Sequence, residues 1–332
     1  MLWRRLCFGV MLCAFGCSPV ASPSFVSPSR QRVSEVRYVM GTLLDITLYA
    51  PSEEKGRAIL NDTFRVAEHL DSVLSTWKPE SPVSTFNRGT TTTPQPVDPH
   101  LYQVVSLSQD LMRRTDGAFN IAVRPLVEMW EHAAQSGHAP TSIEIVASKR
   151  LIAHDVLPLS PPSSLGKKLP GVMIETGGIG KGYAVDEMVK VLRDRGVSQA
   201  FINFGRSSMA AIGAPPGAEG WVIELALNEA GSDGMLELRD ETLSVSRARG
   251  TPFIVNGVAY AHIFDPKTGM PVTTVRGAAV RGLSATNGEA FVKYLIIRGA
   301  PLPHIARAWG DVAWIVKDRD SVRTSQRFTR TE

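Results

Sequence analysis

The chain has 332 residues, with 36 Lys and Arg against 32 Asp and Glu and a formal charge of +4. The apolar content suffices for one large domain or two closely packed halves, and the basic residues are scattered without a block that would mark nucleic-acid binding. Of the 3 cysteines, Cys7 and Cys13 fall in an N-terminal targeting segment, so a mature chain keeping only Cys17 excludes disulfides, thiolate metal sites and cysteine nucleophiles.

In chain order, Arg4 and Arg5 form a basic start, followed by an apolar stretch, 6–15, too short to span a bilayer. Removing those two arginines leaves a charge near +2. Ala14-Phe15-Gly16-Cys17 resembles a lipobox, in which Cys17 is acylated and becomes the first residue; ordinary cleavage leaving a free thiol is the alternative. Ser, Pro and Val then dominate, which reads as a tether. The expected layout is a signal peptide over 1–16, a tether over 17–32 and one domain over 33–332. The expected location is the periplasmic face of a bacterial membrane, held by the lipid. No later stretch is long and apolar enough to cross a membrane.

Alternation and β-branched residues predict strand, tight turn and strand over 33–50. A helix follows over 51–74, with Ile59, Leu60, Phe64, Ala67 and Leu70 at helical spacing. Residues 75–95 read as a loop, 100–114 as a helix ending at Asp116-Gly117, and 123–134 as another helix. The stretch 139–168 is loop-rich with a short amphipathic piece. Residues 171–174 read as a buried strand entering a glycine-rich turn and a helix that ends at Gly196. Strands are predicted over 200–204, 221–227, 243–246, 260–264, 277–280 and 312–317, with helices over 285–298 and 303–308. Helices and antiparallel-looking strands in mixed order give an α+β fold with a largely antiparallel sheet.

Three segments carry candidate chemistry. Gly177-Gly178-Ile179-Gly180-Lys181-Gly182 fits neither a P-loop, which needs glycine where Glu175 stands and Ser or Thr where Gly182 stands, nor a dinucleotide fingerprint. It fits a glycine turn at a helix start, where backbone N–H groups and Lys181 can approach an anion; a tight turn with a solvated lysine fits equally. His262-Ile263-Phe264-Asp265-Pro266-Lys267-Thr268-Gly269 has strong turn chemistry, and its polar groups also suit a ligand pocket. His262 reads as structural rather than catalytic. Trp77, between Ser75-Thr76 and Lys78-Pro79, is either a stacking platform for a flat ring or a core residue of the loop.

Taken together and in this order, these segments resemble the ApbE family of FAD:protein FMN transferases. The matching pieces are Met40-Gly41-Thr42, the run from Leu74 to Ser81, Gly117-Ala118-Phe119-Asn120 and Pro125-Leu126-Val127 with Trp130. The run from Glu175 to Asp186 and the run from His262 to Pro271 complete the set. The resemblance implies cleavage of the FAD pyrophosphate and transfer of FMN to a Ser or Thr hydroxyl of a target, here redox proteins of the membrane. By motif position it implies that Met40, Trp77, Ala118, Phe119 and Asn120 lie against the flavin. Glu175 and Lys181 would contact FAD, with Phe264 behind it. It further implies Mg²⁺ held by the Gly178 carbonyl and by two residues of the late helix, with Glu289 taking the catalytic place.

Several positions depart from the family pattern. Where the late helix carries Asp and Thr as ligands, this chain aligns Glu289 and Lys293, and a protonated lysine cannot ligate a metal. Four residues apart on a helix, the two can instead form an ion pair. Arg206 and Arg247 stand where the family has glycine, and Asn120 where it usually has Asp. Two alternatives therefore accompany the transferase expectation: an FAD pyrophosphatase releasing FMN and AMP, and a non-catalytic FAD-binding lipoprotein.

Overall fold

A computed structural model describes residues 30–228, 231–248, 253–274, 276–310 and 312–328. The signal segment, Cys17 and nearly all of the tether lie outside the described residues. The first strand already begins at Gln31, two residues before the expected domain start.

One antiparallel sheet of eight strands organises the fold, and its spatial order is the chain order. Its strands are β1 (Gln31–Val39), β2 (Thr42–Ala50), β3 (Ala200–Phe204), β4 (Ser208–Ile212), β5 (Thr242–Arg247), β6 (Gly277–Gly282), β7 (Ala313–Lys317) and β8 (Val322–Thr324). The register pairs Val39 with Thr42, Ile46 with Ile202, Ile202 with Ala210, Ser244 with Ser208 and Val280 with Trp314. Helices are excursions from this meander: α1 (Glu53–Leu74), α2 (Pro82–Arg88), α3 (Pro99–Arg114), α4 (Arg124–Ser136), α5 (Ser142–Leu151) and α6 (Gly180–Asp194) between β2 and β3, and α7 (Ala285–Arg298) after β6. The α+β expectation holds.

Strand alternation distributes the apolar residues over both faces. Ala210, Ala278, Val280 and Val316 join the main core under the helices, while Met209, Leu243, Ala279 and Ile315 face a smaller core. A hairpin of Trp221–Glu224 and Met235–Leu238 covers that second face. On the helix side α7 is wedged between the sheet and α6 by two glycines. A methyl on Gly288 would lie 2.5 Å from Ser244 Oγ, and one on Gly182 would lie 2.6 Å from the Ala285 carbonyl oxygen.

Local chemistry explains several boundaries. Ser52 caps α1, accepting from the Lys55 N–H at 3.3 Å, and Glu53 and Glu54 favour its first turn. Asp186 of α6 caps α7, accepting from the backbone N–H groups of Ala285 and Thr286 and the hydroxyls of Ser284 and Thr286, at 2.6–3.0 Å.

The buried stretch 171–174 is not a strand. Val172 and Ile174 are fully buried, yet the Asn87 carboxamide takes the Ile174 N–H at 2.7 Å and donates to its carbonyl at 2.8 Å. One side chain thus replaces a partner strand. The expected loop over 75–95 contains α2, capped by Ser81. The strand expected over 260–264 splits instead. Val258–Tyr260 pairs with Phe253–Val255, and Phe264–Asp265 pairs with Met270–Pro271.

Candidate functional site

The turns of the meander gather the motif residues at one end of the sheet. Met40 and Gly41 form the β1–β2 turn, both at positive φ, +48° and +75°. Next to it is the β3–β4 turn, whose Gly205 N–H donates to the Leu43 carbonyl at 2.9 Å. Helix α1 follows β2 and packs back along β1 and β2, so its C-terminal end returns to this edge. The loop bearing Trp77 starts there. Thr176 ties that loop to the glycine turn: its hydroxyl donates to the Leu74 carbonyl at 2.5 Å, and its carbonyl accepts from Ile179 and Gly180.

Trp77 is 85% exposed, so its indole is free to stack rather than folded into the core. Phe119 is buried with its ring edge 3.6 Å from where a Gly178 side chain would begin, which brings the Gly117–Asn120 segment under the glycine turn. The residues beside the turn are already committed. Asn120 is buried, donates to the Ile152 carbonyl at 2.7 Å and accepts from Ala122 at 2.9 Å. Ala118 is buried as well. Glu175 accepts from the Gly177 N–H at 3.0 Å and faces Arg124 at 3.4 Å, which also binds Glu131 at 2.9 Å.

Helix α6 opens with no side-chain cap and no acidic residue in its first turn. The Gly180 N–H is taken by the Thr176 carbonyl, and the next N–H groups, of Lys181 and Gly182, are left with the helix dipole for an anion. Lys181 sits in this first turn, and α7 crosses α6 at Gly182, which puts Glu289 and Lys293 alongside. Glu289 is 3% exposed and accepts a very short hydrogen bond from the Ser208 hydroxyl. Lys293 is partly buried. Burial depresses its pKa and nearby Lys181 adds to the effect, while the Glu289 charge opposes it. Among the described residues neither Lys181 nor Lys293 makes a hydrogen bond or an ion pair. Two cations are thus held near each other without a bonded anion.

The charges of Lys293 and Lys181 also reach His262, which the sequence reads as structural. Its side chain keeps exposed surface, yet the protein around the ring, and then the charges of Lys293 and Lys181, lower its pKa to about 4. Its imidazole is neutral at ordinary pH and can take a proton. The turn chemistry read from the segment is real: the Asp265 carboxylate binds Arg298 at 2.6 and 3.2 Å, and its carbonyl closes the turn on Gly269. Phe264 points away from the cluster, into a satellite core with Trp130 and Phe253 at ring distances of 6.4 and 5.7 Å. Arg206, at φ +57°, reaches Glu224 at 3.5 Å on the surface, and Arg247 is exposed. Ser208 carries no sequence signal.

The donor set does not fit Mg²⁺. Among the described residues no three His, Cys, Asp or Glu side chains gather at one point. Glu289 is a single carboxylate already engaged by Ser208, the Gly178 carbonyl is one neutral oxygen, and Lys293 brings a positive charge to the third expected position. Octahedral Mg²⁺ needs oxygen ligands and net negative charge. A groove of about 690 Å³ between α3, α6 and the start of α7, lined by His100, Tyr183 and Asp186, shares no residue with this cluster.

An antiparallel sheet whose one end combines an uncapped glycine-rich helix start, two lysines without hydrogen bonds or ion pairs among the described residues and an exposed tryptophan suits an anionic ligand that carries a flat ring. The chain belongs to the ApbE family, whose model matches residues 40–313. It is 25% identical over 279 residues to a FAD:protein FMN transferase of Klebsiella pneumoniae, covering 82% of this chain and 79% of that one. It is 24% identical over 324 residues to the Escherichia coli K12 protein of the same name, covering 93% and 91%. The fold matches the flavin transferase ApbE of Vibrio cholerae with a TM-score of 0.76, 22% identity and coverage of 90% and 98%. The apo Pseudomonas stutzeri flavinyl transferase ApbE gives 0.77, 21%, 90% and 96%.

Proposed function

We propose that this chain is an FAD:protein FMN transferase. The observation that carries the reading is the pair of unpaired ammoniums, Lys181 and Lys293, at the uncapped start of α6, in a chain whose relatives bear that name. Such a cradle suits a pyrophosphate. Trp77 is placed to stack on the isoalloxazine, with Met40 at the adjacent turn.

In the proposed reaction a Ser or Thr hydroxyl of the acceptor attacks the FMN phosphorus of FAD. A P–O bond forms to the acceptor oxygen, and the bond to the bridging oxygen breaks. Its electron pair leaves with AMP. The hydroxyl proton passes to the His262 imidazole, which is neutral before the ligand enters and gains basicity once the phosphates offset the charges of Lys181 and Lys293. Lys181 and Lys293 offset the charge that gathers on the phosphate oxygens. Buried Glu289 accepts from Ser208 and acts on Lys293 by its charge, which supports a positioning role for it in this reading.

The acceptors proposed are redox proteins at the outer face of a bacterial cytoplasmic membrane, with the domain held there by a lipid on Cys17. The apolar 6–15 stretch and the residues before Cys17 support that placement. The test is incubation of the full chain with FAD and an acceptor polypeptide bearing exposed Ser and Thr, followed by denaturing electrophoresis. Flavin fluorescence comigrating with the acceptor is expected; an acceptor band without flavin contradicts the reading.

A further inference from the structure

We infer that the Lys293 ammonium, together with Lys181, does in this chain the charge work of a divalent cation, so that the dinucleotide pyrophosphate is held by protein cations alone. The inference rests on the proposed transferase reading for the identity of the ligand, and on the structure for the means of holding it.

A partly buried ammonium costs free energy unless an anion or hydrogen-bond acceptors meet it. Among the described residues Lys293 makes no hydrogen bond or ion pair, and Glu289, one helical turn back on the same face, acts on it by its charge alone. Glu289 instead accepts from Ser208, deeper in the core. The carboxylate is thereby held toward the sheet, while the Lys181 charge acts on Lys293 and both lysine charges act on His262. Glu289 is the acidic side chain seen acting on Lys293, and none is seen acting on His262.

Two like charges brought together in this way destabilise the unliganded protein and stabilise a polyanion that enters between them. The same pair disfavours a divalent cation at this place, where a single carboxylate stands against two ammoniums. A pyrophosphate entering the cradle keeps the proton on Lys293, because a neighbouring anion favours the charged form. The uncapped N–H groups of α6 complete the contact surface without any further side chain.

The arrangement also fixes what a substitution does. Replacing Lys293 by Met keeps the volume and removes the charge, so nothing in the cradle replaces it. Replacing it by Thr removes the positive charge beside Glu289 and adds a hydroxyl, a set of oxygen donors that a divalent cation can use.

The experiment is FAD binding to the full chain, read by quenching of flavin fluorescence, in EDTA and in millimolar Mg²⁺. The parent protein is expected to bind FAD with the same affinity, within about twofold, in both buffers. Lys293→Met and Lys181→Met are each expected to bind at least tenfold more weakly in EDTA, and Mg²⁺ is not expected to rescue either. Lys293→Thr is expected to recover affinity only when Mg²⁺ is added. Circular dichroism checks the fold of each variant. Lys181→Met, in the partly exposed first turn of α6, carries the test if a Lys293 variant does not fold. A parent affinity that rises tenfold or more with Mg²⁺, or a Lys293→Met protein that binds like the parent, overturns the inference and leaves the transferase reading standing. Lysine-dependent binding in EDTA with no flavin passed to any acceptor sinks the transferase reading and leaves the inference intact.

Discussion

Replacing Gly182 by Ala tests the helix crossing on which the site depends. The added methyl would lie 2.6 Å from the Ala285 carbonyl oxygen and 2.9 Å from Glu289 Cγ. A carbon–oxygen contact settles near 3.3 Å, so the carbonyl must withdraw by about 0.7 Å. Helix α7 has little space to withdraw into, because Gly288 on its other side is already closed off by Ser244, 2.5 Å from any added methyl. Overpacking of this kind costs about 1–3 kcal/mol, and a backbone obstacle puts the cost near the top of that range. The gain in helix propensity from Gly to Ala returns about 1 kcal/mol. The expected result is a net loss of about 2 kcal/mol, read in urea as a lower midpoint at unchanged slope. FAD affinity should fall with it, since the methyl also pushes Glu289 off Ser208. A variant as stable as the parent, or more stable by the propensity gain, would mean that α6 and α7 do not meet here and that the placing of Lys293 beside Lys181 is wrong.

Other outcomes follow from single contacts. Asp186→Ala removes the acceptor of four hydrogen bonds at the start of α7 and should cost about 2–3 kcal/mol in urea unfolding, with Asp186→Asn losing roughly half as much. Trp77→Ala should leave unfolding unchanged, because the indole is exposed, while weakening FAD binding roughly tenfold through loss of stacking. In a proton NMR titration His262 should titrate near 4, and Lys293→Met should move it back toward the ordinary imidazole value. The sign for stability follows: with the folded value below the unfolded one, the share held by neutral His262 is full above about 6.5 and is lost as pH falls toward 4. A His262 that titrates at the unperturbed value in both proteins would contradict its placement among the lysines.

Much of the frame was legible because periodicity reports burial directly. The β1–β2 hairpin, α1, α3 and α7 announce themselves by alternation or helical spacing, and each is present. Strand β4, Ser-Met-Ala-Ala-Ile, was not legible: all five residues are buried, one face in each core, so no polar side alternates with an apolar one. The stretch 171–174 misled for a related reason. An apolar run reports burial but not which partner satisfies its backbone, and Asn87, more than eighty residues away in sequence, does so here.

At the site, the sequence pointed to the glycine turn and the altered α7 positions, since glycine spacing and residue type are read locally. It could not show that Asn120 and Phe264 are spent on internal packing, nor that His262 faces the lysines. Those facts depend on which of several neighbouring side chains turns inward, and a hydrogen bond to a distant carbonyl decides it for Asn120. The Asp265 turn was read correctly as turn chemistry, but its carboxylate is held by Arg298, which no local motif reveals.

The central claim is that this fold passes FMN from FAD to a protein hydroxyl, and its most direct test is stoichiometry in a single reaction. The full chain, FAD and the Ser/Thr acceptor are incubated together, and AMP release and acceptor-bound flavin are quantified from the same sample. Equal amounts of AMP and covalent flavin, with little free FMN, are expected. AMP matched by free FMN and an unmodified acceptor would make the chain a pyrophosphatase, and FAD bound without AMP release would make it a flavin carrier; either contradicts the claim.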